Sequence, residues 1–126
     1  MVRQWEECPV GPNKNGDELR VTLSRKGEIM VGAKAFEKLG RPEVAVLLFD
    51  RVNSVIGVSP SNHFAKNGYP MIAKTGARHR IVRANRFCRL YGIKVDRTVA
   101  FEMPEIDKDG ILVLDLGRTV NVSGKV

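Results

Sequence analysis

Several features that identify common protein classes are scarce in this sequence. Its two cysteines, Cys8 and Cys88, lie far apart and match no metal or redox spacing. We therefore expect reduced thiols rather than a disulfide framework. No stretch approaches the roughly eighteen consecutive apolar residues of a membrane span, and the first ten residues lack a basic segment leading into an apolar run. These absences predict a soluble, cytoplasmic protein with no membrane partner.

Sequence motifs of the common enzyme classes are also missing. The chain has no phosphate-cradling glycine loop, no Gly-x-Ser-x-Gly elbow, no His-Glu-x-x-His pair and no Cys and His group with zinc spacing. Cys88 follows Phe87 on a predicted helix, where a small core residue is commoner than a nucleophile, and His63 is expected to be a surface loop residue. Residues 107–110 are too few for a calcium loop, whose ligands spread over about twelve positions. We expect no enzymatic activity, no cofactor, no metal and no small-molecule substrate.

The composition that accompanies these absences is that of an ordinary globular protein. Apolar residues make up 43% and charged residues 28% of the 126 residues, which favours a folded chain over disorder or a fibre. A chain of this length can bury about 65% of its unfolded surface, enough for a core. Aromatic residues contribute only 6%, so few side chains can stack on unpaired bases. Duplex nucleic acid is therefore a more attractive partner than a single strand.

Positive charge is present in excess. The formal net charge is +7, and a basic surface attracts polyanions. Six cations share a stretch without an acidic residue: Lys74, Arg78, Arg80, Arg83, Arg86 and Arg89. If the last three lie on one helix, their spacing forms a stripe that can donate paired hydrogen bonds to phosphate or guanine. A solvated cationic helix face without a ligand is the alternative.

Negative charge gathers in one predicted hairpin near the C-terminus. Residues 102–115 contain five carboxylates against Lys108 alone: Glu102, Glu105, Asp107, Asp109 and Asp115. Such charge separation allows neighbouring copies to meet pole to pole, so association into a homo-oligomer stays open. Simple solubility of an edge hairpin is the alternative.

Two stretches of the chain share one order of predicted elements. In residues 19–59, alternating apolar residues predict a strand, a turn at 25–27, a short extended piece, a helix before Gly40 and a hairpin of 43–50 with 54–59. In residues 79–116, an extended piece precedes a helix that ends at Gly92, a strand over 95–103, a loop and a strand over 111–116. Gly40 and Gly92 lie 52 positions apart, as do Ile29 and Ile81. We interpret this as an internal repeat, with a chance likeness of short elements as the alternative.

The repeat divides the chain into five segments. Residues 1–18 form an N-terminal arm, 19–59 the first repeat, 60–78 a linker rich in turn formers, 79–116 the second repeat and 117–126 a C-terminal tail. In the tail, the alternation of Val120 and Val122 predicts either an additional edge strand or a mobile end.

The order of elements is similar to that of a known family. The stretch 21–31, followed by Phe36-Glu37-Lys38-Leu39-Gly40 and a hairpin, resembles the AbrB/SpoVT swapped-hairpin family of bacterial DNA-binding regulators. Two tandem copies in one chain resemble MraZ-type proteins. The resemblance implies a mainly β fold with short helices, in which two tandem β-loop-helix-β-hairpin repeats form one AbrB-like swapped-hairpin barrel. Many family members begin the helix with Pro, whereas this chain has Val31-Gly32-Ala33.

The resemblance also implies a function, that of a bacterial transcriptional regulator that binds double-stranded DNA. It places Arg25 and Lys26 in a loop near the DNA-facing surface, and Arg78 and Arg80 at the matching place in the second repeat. The candidate DNA-binding residues are these four and five further cations: Arg20, Lys74, Arg83, Arg86 and Arg89. The alternatives are a non-catalytic assembly or scaffold module that binds proteins, and an antitoxin-like component. A second repeat occupies the place of a toxin-binding tail, which counts against the antitoxin.

Overall fold

A computed structural model describes residues 19–62 and 66–122 of the chain, which form an antiparallel, mainly β fold with two short helices. The predicted mainly β class is confirmed. The expectations for the N-terminal arm, Cys8 and His63 lie outside the described residues. The strands are β1 (Val21–Leu23), β2 (Glu28–Val31), β3 (Val44–Asp50), β4 (Val55–Ser61), β5 (Gly68–Pro70), β6 (Ile72–Ala73), β7 (Arg80–Arg83), β8 (Val99–Phe101), β9 (Glu105–Ile106), β10 (Leu112–Asp115) and β11 (Thr119–Asn121). The helices are α1 (Ala33–Lys38) and α2 (Asn85–Tyr91).

The strands form two antiparallel sheets. The first has the order β11-β8-β1-β2-β7-β6 and the second the order β5-β3-β4-β10-β9. Within the described residues each sheet has two edge strands, so the pairing forms two open sheets and no closed barrel. Each sheet contains strands from both halves of the chain, because β2 pairs with β7 in the first and β4 with β10 in the second. The two halves are therefore interleaved.

The two helices occupy matching positions in the sequence. α1 begins at Ala33 and α2 at Asn85, 52 positions apart. Both helices end at the predicted glycines. Gly40 directly follows the C-terminal cap of α1, and Gly92 is itself the C-terminal cap of α2. A glycine at this position ends a helix readily because it adopts the left-handed backbone that closes the last turn.

The ladder between β2 and β7 has the same spacing. Glu28 pairs with Arg83, and Val31 pairs with Arg80. Because Arg80 and Arg83 lie 52 positions after Glu28 and Val31, exchanging the two strands reproduces the same pairs. The pairing is therefore that expected for a local two-fold axis through the middle of the ladder.

One hydrophobic cluster joins residues from both sheets and both helices. Its largest fully buried side chains are aliphatic, each with 1% exposure or less: Val21, Leu23, Ile29, Val31, Ile56, Val58, Val82, Leu112 and Leu114. On α2, Phe87 and Tyr91 pack against Phe49 of β3 with ring centroids 6.2 and 5.0 Å away. The helix of the second half thus covers the hairpin of the first.

The predicted second hairpin, Val95–Met103 with Ile111–Leu116, is wrong. Only β8 forms within its first strand, and β8 pairs with β1 and β11 in the six-stranded sheet. The partners of β10 are β4 and the short β9, which lies inside the predicted loop 104–110. Pro104 has no N–H to donate to a ladder, and the chain bends there as it passes from one sheet to the other.

The segments on either side of the second half also contain strands. Within the predicted linker 60–78, β5 pairs with β3 and β6 pairs with β7. Met71 between them is buried, and its N–H donates to the carbonyl of Glu43 at 2.9 Å. In the tail, β11 is the edge strand that the alternation of valines predicted.

Candidate nucleic-acid interface

The strand β7 divides the basic run of residues 74–89 into two groups. The first group precedes or begins the strand, and the second ends it or follows on α2. The first group consists of Lys74, Arg78 and Arg80. The second group consists of Arg83, Arg86 and Arg89. Because β2 and β7 are antiparallel, the first group lies near the end of β2 that leads into α1, and the second lies near the β1–β2 turn. The run therefore does not form one continuous surface.

Only two of the three arginines in the predicted helical stripe lie on the helix. α2 begins at Asn85, so Arg86 and Arg89 lie on the helix, whereas Arg83 is the last residue of β7. The N–H of Ala84 donates to the carbonyl of Gly27 at 2.9 Å, which extends the β2–β7 ladder past Arg83. Pairing with β2 thus holds this segment extended and delays the start of the helix.

The β1–β2 turn packs directly against the start of α2, and a cleft of about 240 Å³ opens beside it. We call it the turn cleft. Its lining includes the buried side chains of Leu23 and Cys88. Four exposed cations contribute to the same lining, two from the turn and two from α2 and the residues after it: Arg25, Lys26, Arg89 and Lys94. Within residues 19–62 and 66–122, no Asp or Glu contributes to this lining.

A second cleft, of about 460 Å³, adjoins the turn cleft. Its lining includes Lys66, Tyr69, Arg83 and Arg86, and the described part of the chain again contributes no Asp or Glu to it. Asn85 lines both clefts, so their cations form one surface. We call this surface the basic face, defined by Arg25, Lys26, Lys66, Arg83, Arg86, Arg89 and Lys94.

The first group of cations is in a different environment. Glu37 on α1 forms ion pairs with Arg41 at 3.6 Å and with Arg78 at 4.0 Å. Both ion pairs use the same carboxylate. Partial neutralisation by Glu37 makes this end of β7 less attractive to an anion than the basic face.

Arg80 is engaged within the fold. Its guanidinium lies 4.2 Å from the centroid of the Phe36 ring and donates to the carbonyls of Arg78 and His79, each at 3.2 Å. A cation over an aromatic face is stabilising, more so when it is partly shielded from water. Its contacts therefore give Arg80 a role in joining β7 to α1.

Two other predicted site residues lie apart from the basic face. Lys74 is exposed in the β6–β7 loop. Arg20 lines a different groove, together with Glu102 and Glu105. Conversely, the sequence reasoning missed Lys66 and Lys94. The position of Lys94 could have been inferred from the sequence, because Gly92 ends α2 and turns the chain back beside the last turn of that helix. No local sequence feature places Lys66 at the site.

Two carboxylates in the acidic stretch 102–115 close turns. Asp107 accepts from the N–H groups of Asp109 and Ile111 at 2.9 and 3.0 Å, and Asp115 accepts from Gly117 at 2.8 Å. These bonds are typical of Asp at tight turns. At least two of the five carboxylates therefore have a structural role.

Other chemistry is limited in the part of the chain that the structure describes. Within residues 19–62 and 66–122, no group of three or more His, Cys, Asp or Glu side chains is placed to hold a metal ion. Burial raises the pKa of the Cys88 thiol, which keeps it protonated at neutral pH and makes it a poor nucleophile. In the same residues, neither helix has the length and apolar composition needed to cross a membrane.

Comparison with protein-family models, with curated proteins and with solved structures finds no match for this chain. The resemblance to the AbrB/SpoVT swapped-hairpin family therefore depends on the sequence pattern alone, and the interpretation of the basic face depends on its geometry and charge.

Proposed function

We propose that this protein binds double-stranded DNA through the basic face and acts as a transcriptional regulator. The observation that carries the proposal is the lining of two adjoining clefts, among the described residues, by seven cations and no carboxylate. Those cations come from three separate parts of the chain, the β1–β2 turn, the turn that precedes β5 and the region around α2. The fold, and not only a run of sequence, concentrates the charge.

The arrangement suits a phosphate backbone. The seven residues are exposed cations without an ion pair among the described contacts, so their charge is available to a ligand. Arginine can donate two parallel hydrogen bonds to a phosphate or to a guanine edge. Contacts to phosphate position a protein on the duplex, and contacts to base edges supply sequence preference.

We further propose that the two halves are AbrB-like swapped-hairpin repeats that form one interleaved unit. The equal spacing of the helices, the symmetric β2–β7 ladder and the interleaved sheets support this relationship. In this proposal the β1–β2 turn with Arg25 and Lys26 is the DNA-facing loop of the first repeat. The β6–β7 loop, with Arg78 beside Glu37, is a weaker counterpart in the second.

The test compares two double charge reversals by fluorescence anisotropy on a labelled random duplex. The first variant, Lys26→Glu with Arg89→Glu, reverses one positive charge on each side of the turn cleft. Lys108→Glu with Arg118→Glu changes the net charge equally on exposed turns outside both clefts. We expect the first pair to weaken binding by at least about tenfold more than the second, and the wild-type affinity to fall with salt at about −0.9 in log–log slope per phosphate contacted.

Equal losses from the two double variants would mean that only net charge matters and would remove the basic face as the binding surface. No binding of the wild-type chain to any duplex at low salt would remove the DNA-binding function itself. Circular dichroism of both variants establishes that the fold is retained.

A further inference from the structure

The lining of the turn cleft combines an apolar floor with a cationic rim. Leu23 and Cys88 are buried, and Ile93 and Val95 in the same lining pack against the hydrophobic cluster. The four cations of the lining are exposed and therefore surround the opening. A duplex phosphate can use these cations, but it leaves the apolar floor without a partner. The cleft as a whole matches a molecule that has both an apolar body and an anionic group.

The volume of the turn cleft limits such a ligand to a small one. About 240 Å³ is below the roughly 300–1,000 Å³ of clefts that take drug-sized ligands, so the cleft admits a single ring or a short chain. The groove beside Arg20 is larger, at about 940 Å³, but Glu102 and Glu105 share its lining with the cations. Of these two clefts, therefore, only the turn cleft has a lining that selects an anion.

A place that matches the turn cleft lies beside α1, because the two-fold pairing of β2 with β7 relates the turn before each strand to the helix after the other. With the offset of 52 positions between the halves, Glu37 on α1 matches Arg89 on α2. Likewise, Arg78 before β7 matches Lys26 before β2. Glu37 and Arg78 form an ion pair at 4.0 Å. Among the described residues, no Asp or Glu does the same at the turn cleft, which therefore lacks the carboxylate that its counterpart contains.

We propose that the turn cleft binds a small organic carboxylate. Lys26 and Arg89 bind the carboxylate group, since charge-assisted hydrogen bonds are roughly twice as strong as neutral ones. The apolar body lies over Leu23 and Cys88, where it is removed from water. Because Lys26 and Arg89 also belong to the basic face, the bound carboxylate competes with a duplex. This regulatory consequence rests on the proposed DNA-binding function, whereas the binding of the carboxylate does not.

Benzoate is the probe for the first experiment, in which it is titrated into isotope-labelled full-length protein without DNA. We expect the amide NMR signals of residues 24–27 and 88–95 to shift most, with a dissociation constant of about 1 mM or lower for a ligand of this size. Acetate lacks the ring and benzamide lacks the charge, so each should bind at least about tenfold more weakly. Equal affinity for benzoate and benzamide overturns the proposal.

Two double variants locate the site. Lys26→Gln with Arg89→Gln removes two charges from the turn cleft, and the matched control, Arg83→Gln with Arg86→Gln, removes two from the adjoining cleft. The first pair should lose at least about tenfold in affinity for benzoate, and the control pair less than about twofold. Equal losses overturn the proposal. If circular dichroism shows that the first pair is unfolded, Arg89→Gln alone is compared with Arg86→Gln, and again only the turn-cleft variant should lose affinity.

Competition with a labelled duplex tests the regulatory consequence by fluorescence anisotropy. Benzoate at about 10 mM should weaken duplex binding at least about threefold more than chloride at the same concentration, because both anions screen charge but only benzoate occupies the cleft. Unchanged duplex affinity while benzoate fills the cleft removes the regulation. Benzoate binding by a protein that binds no duplex leaves the carboxylate site standing and removes the proposed function. Duplex binding without benzoate binding does the reverse.

Discussion

Gly27 and Gly40 have similar backbone angles but different surroundings. Their φ angles are 84° and 91°, in the left-handed region that side chains disfavour. A Cβ added at Gly27 would lie 2.7 Å from Cα of Asn85, whereas a Cβ at Gly40 would meet nothing within 4 Å. Only Gly27 combines a backbone requirement with a packing requirement.

Gly27→Ala should therefore destabilise the protein more than Gly40→Ala. We expect a loss of about 1 kcal/mol in the free energy of unfolding for Gly40→Ala, from the backbone alone, and roughly 3 kcal/mol or more for Gly27→Ala, because the β1–β2 turn must also move away from α2. Urea denaturation measures both. Equal losses would show that the turn does not pack tightly on the helix.

The predictability of the candidate site varies from residue to residue. Arg25, Lys26 and Arg89 could be predicted from sequence, since a turn and the outer face of a helix expose their side chains whatever their neighbours are. The engagement of Arg80 could not, because its ring partner, Phe36, is 44 positions away in the chain. Whether a cation is free or engaged depends on tertiary contacts that no local pattern records.

At the scale of elements, a single carboxylate organises the turn between β3 and β4. Asp50 accepts from the side-chain amide of Asn53 at 2.9 Å, and from the backbone N–H groups of Asn53 and Val52 at 3.1 and 3.0 Å. The bond from the Asn53 side chain is the largest of the causes that lower the pKa of Asp50 from its ordinary value of 3.8. Because the folded-state pKa is the lower one, the contribution to stability is present above pH 3.8 and is lost as the pH falls through the folded-state pKa.

Replacing Asn53 tests this assignment. In Asn53→Ala the pKa of Asp50 should rise toward 3.8, because the side-chain donor is gone while the backbone donors remain. Side-chain carboxyl NMR titration measures it. Val52→Ala keeps the backbone N–H and is the matched control. If the pKa of Asp50 moves equally in both variants, the turn has rearranged and the Asn53 bond is not the cause.

Elements defined by local patterns could be predicted, and those defined by distant partners could not. Both helices and the β3–β4 hairpin have nearby signals, such as Gly40, Gly92 and the turn that begins at Asp50. The strand β8, by contrast, pairs with the distant strand β1, where Leu23 lies opposite Val99. Nothing near residues 99–101 indicates that this strand leaves the expected hairpin for the other sheet.

At the scale of the whole molecule, interleaving makes each half depend on the other. Without the second half, β2 loses β7 and β4 loses β10, so both sheets lose a central ladder. The buried side chains of Ile29, Ile56 and Val58 would then lose cover from Val82, Leu112 and Leu114.

Two fragments, residues 1–62 and 63–126, should therefore be largely unfolded as isolated monomers and should fold together when mixed. Circular dichroism and amide NMR spectra measure folding, and gel filtration measures association of the mixture. A fragment that folds alone as a monomer would contradict the dependence between halves.

The pairing of β1 also affects how the protein is made. Leu23 and Val99 lie 76 positions apart, and β11 joins β8 only after that. On the ribosome, an emerging first half therefore has β1, β2 and β4 without their second-half partners β8, β7 and β10, and such distant pairings form slowly. The six-stranded sheet can be completed only after nearly all of these residues have been synthesised, so folding finishes after translation of the sheet and not during it.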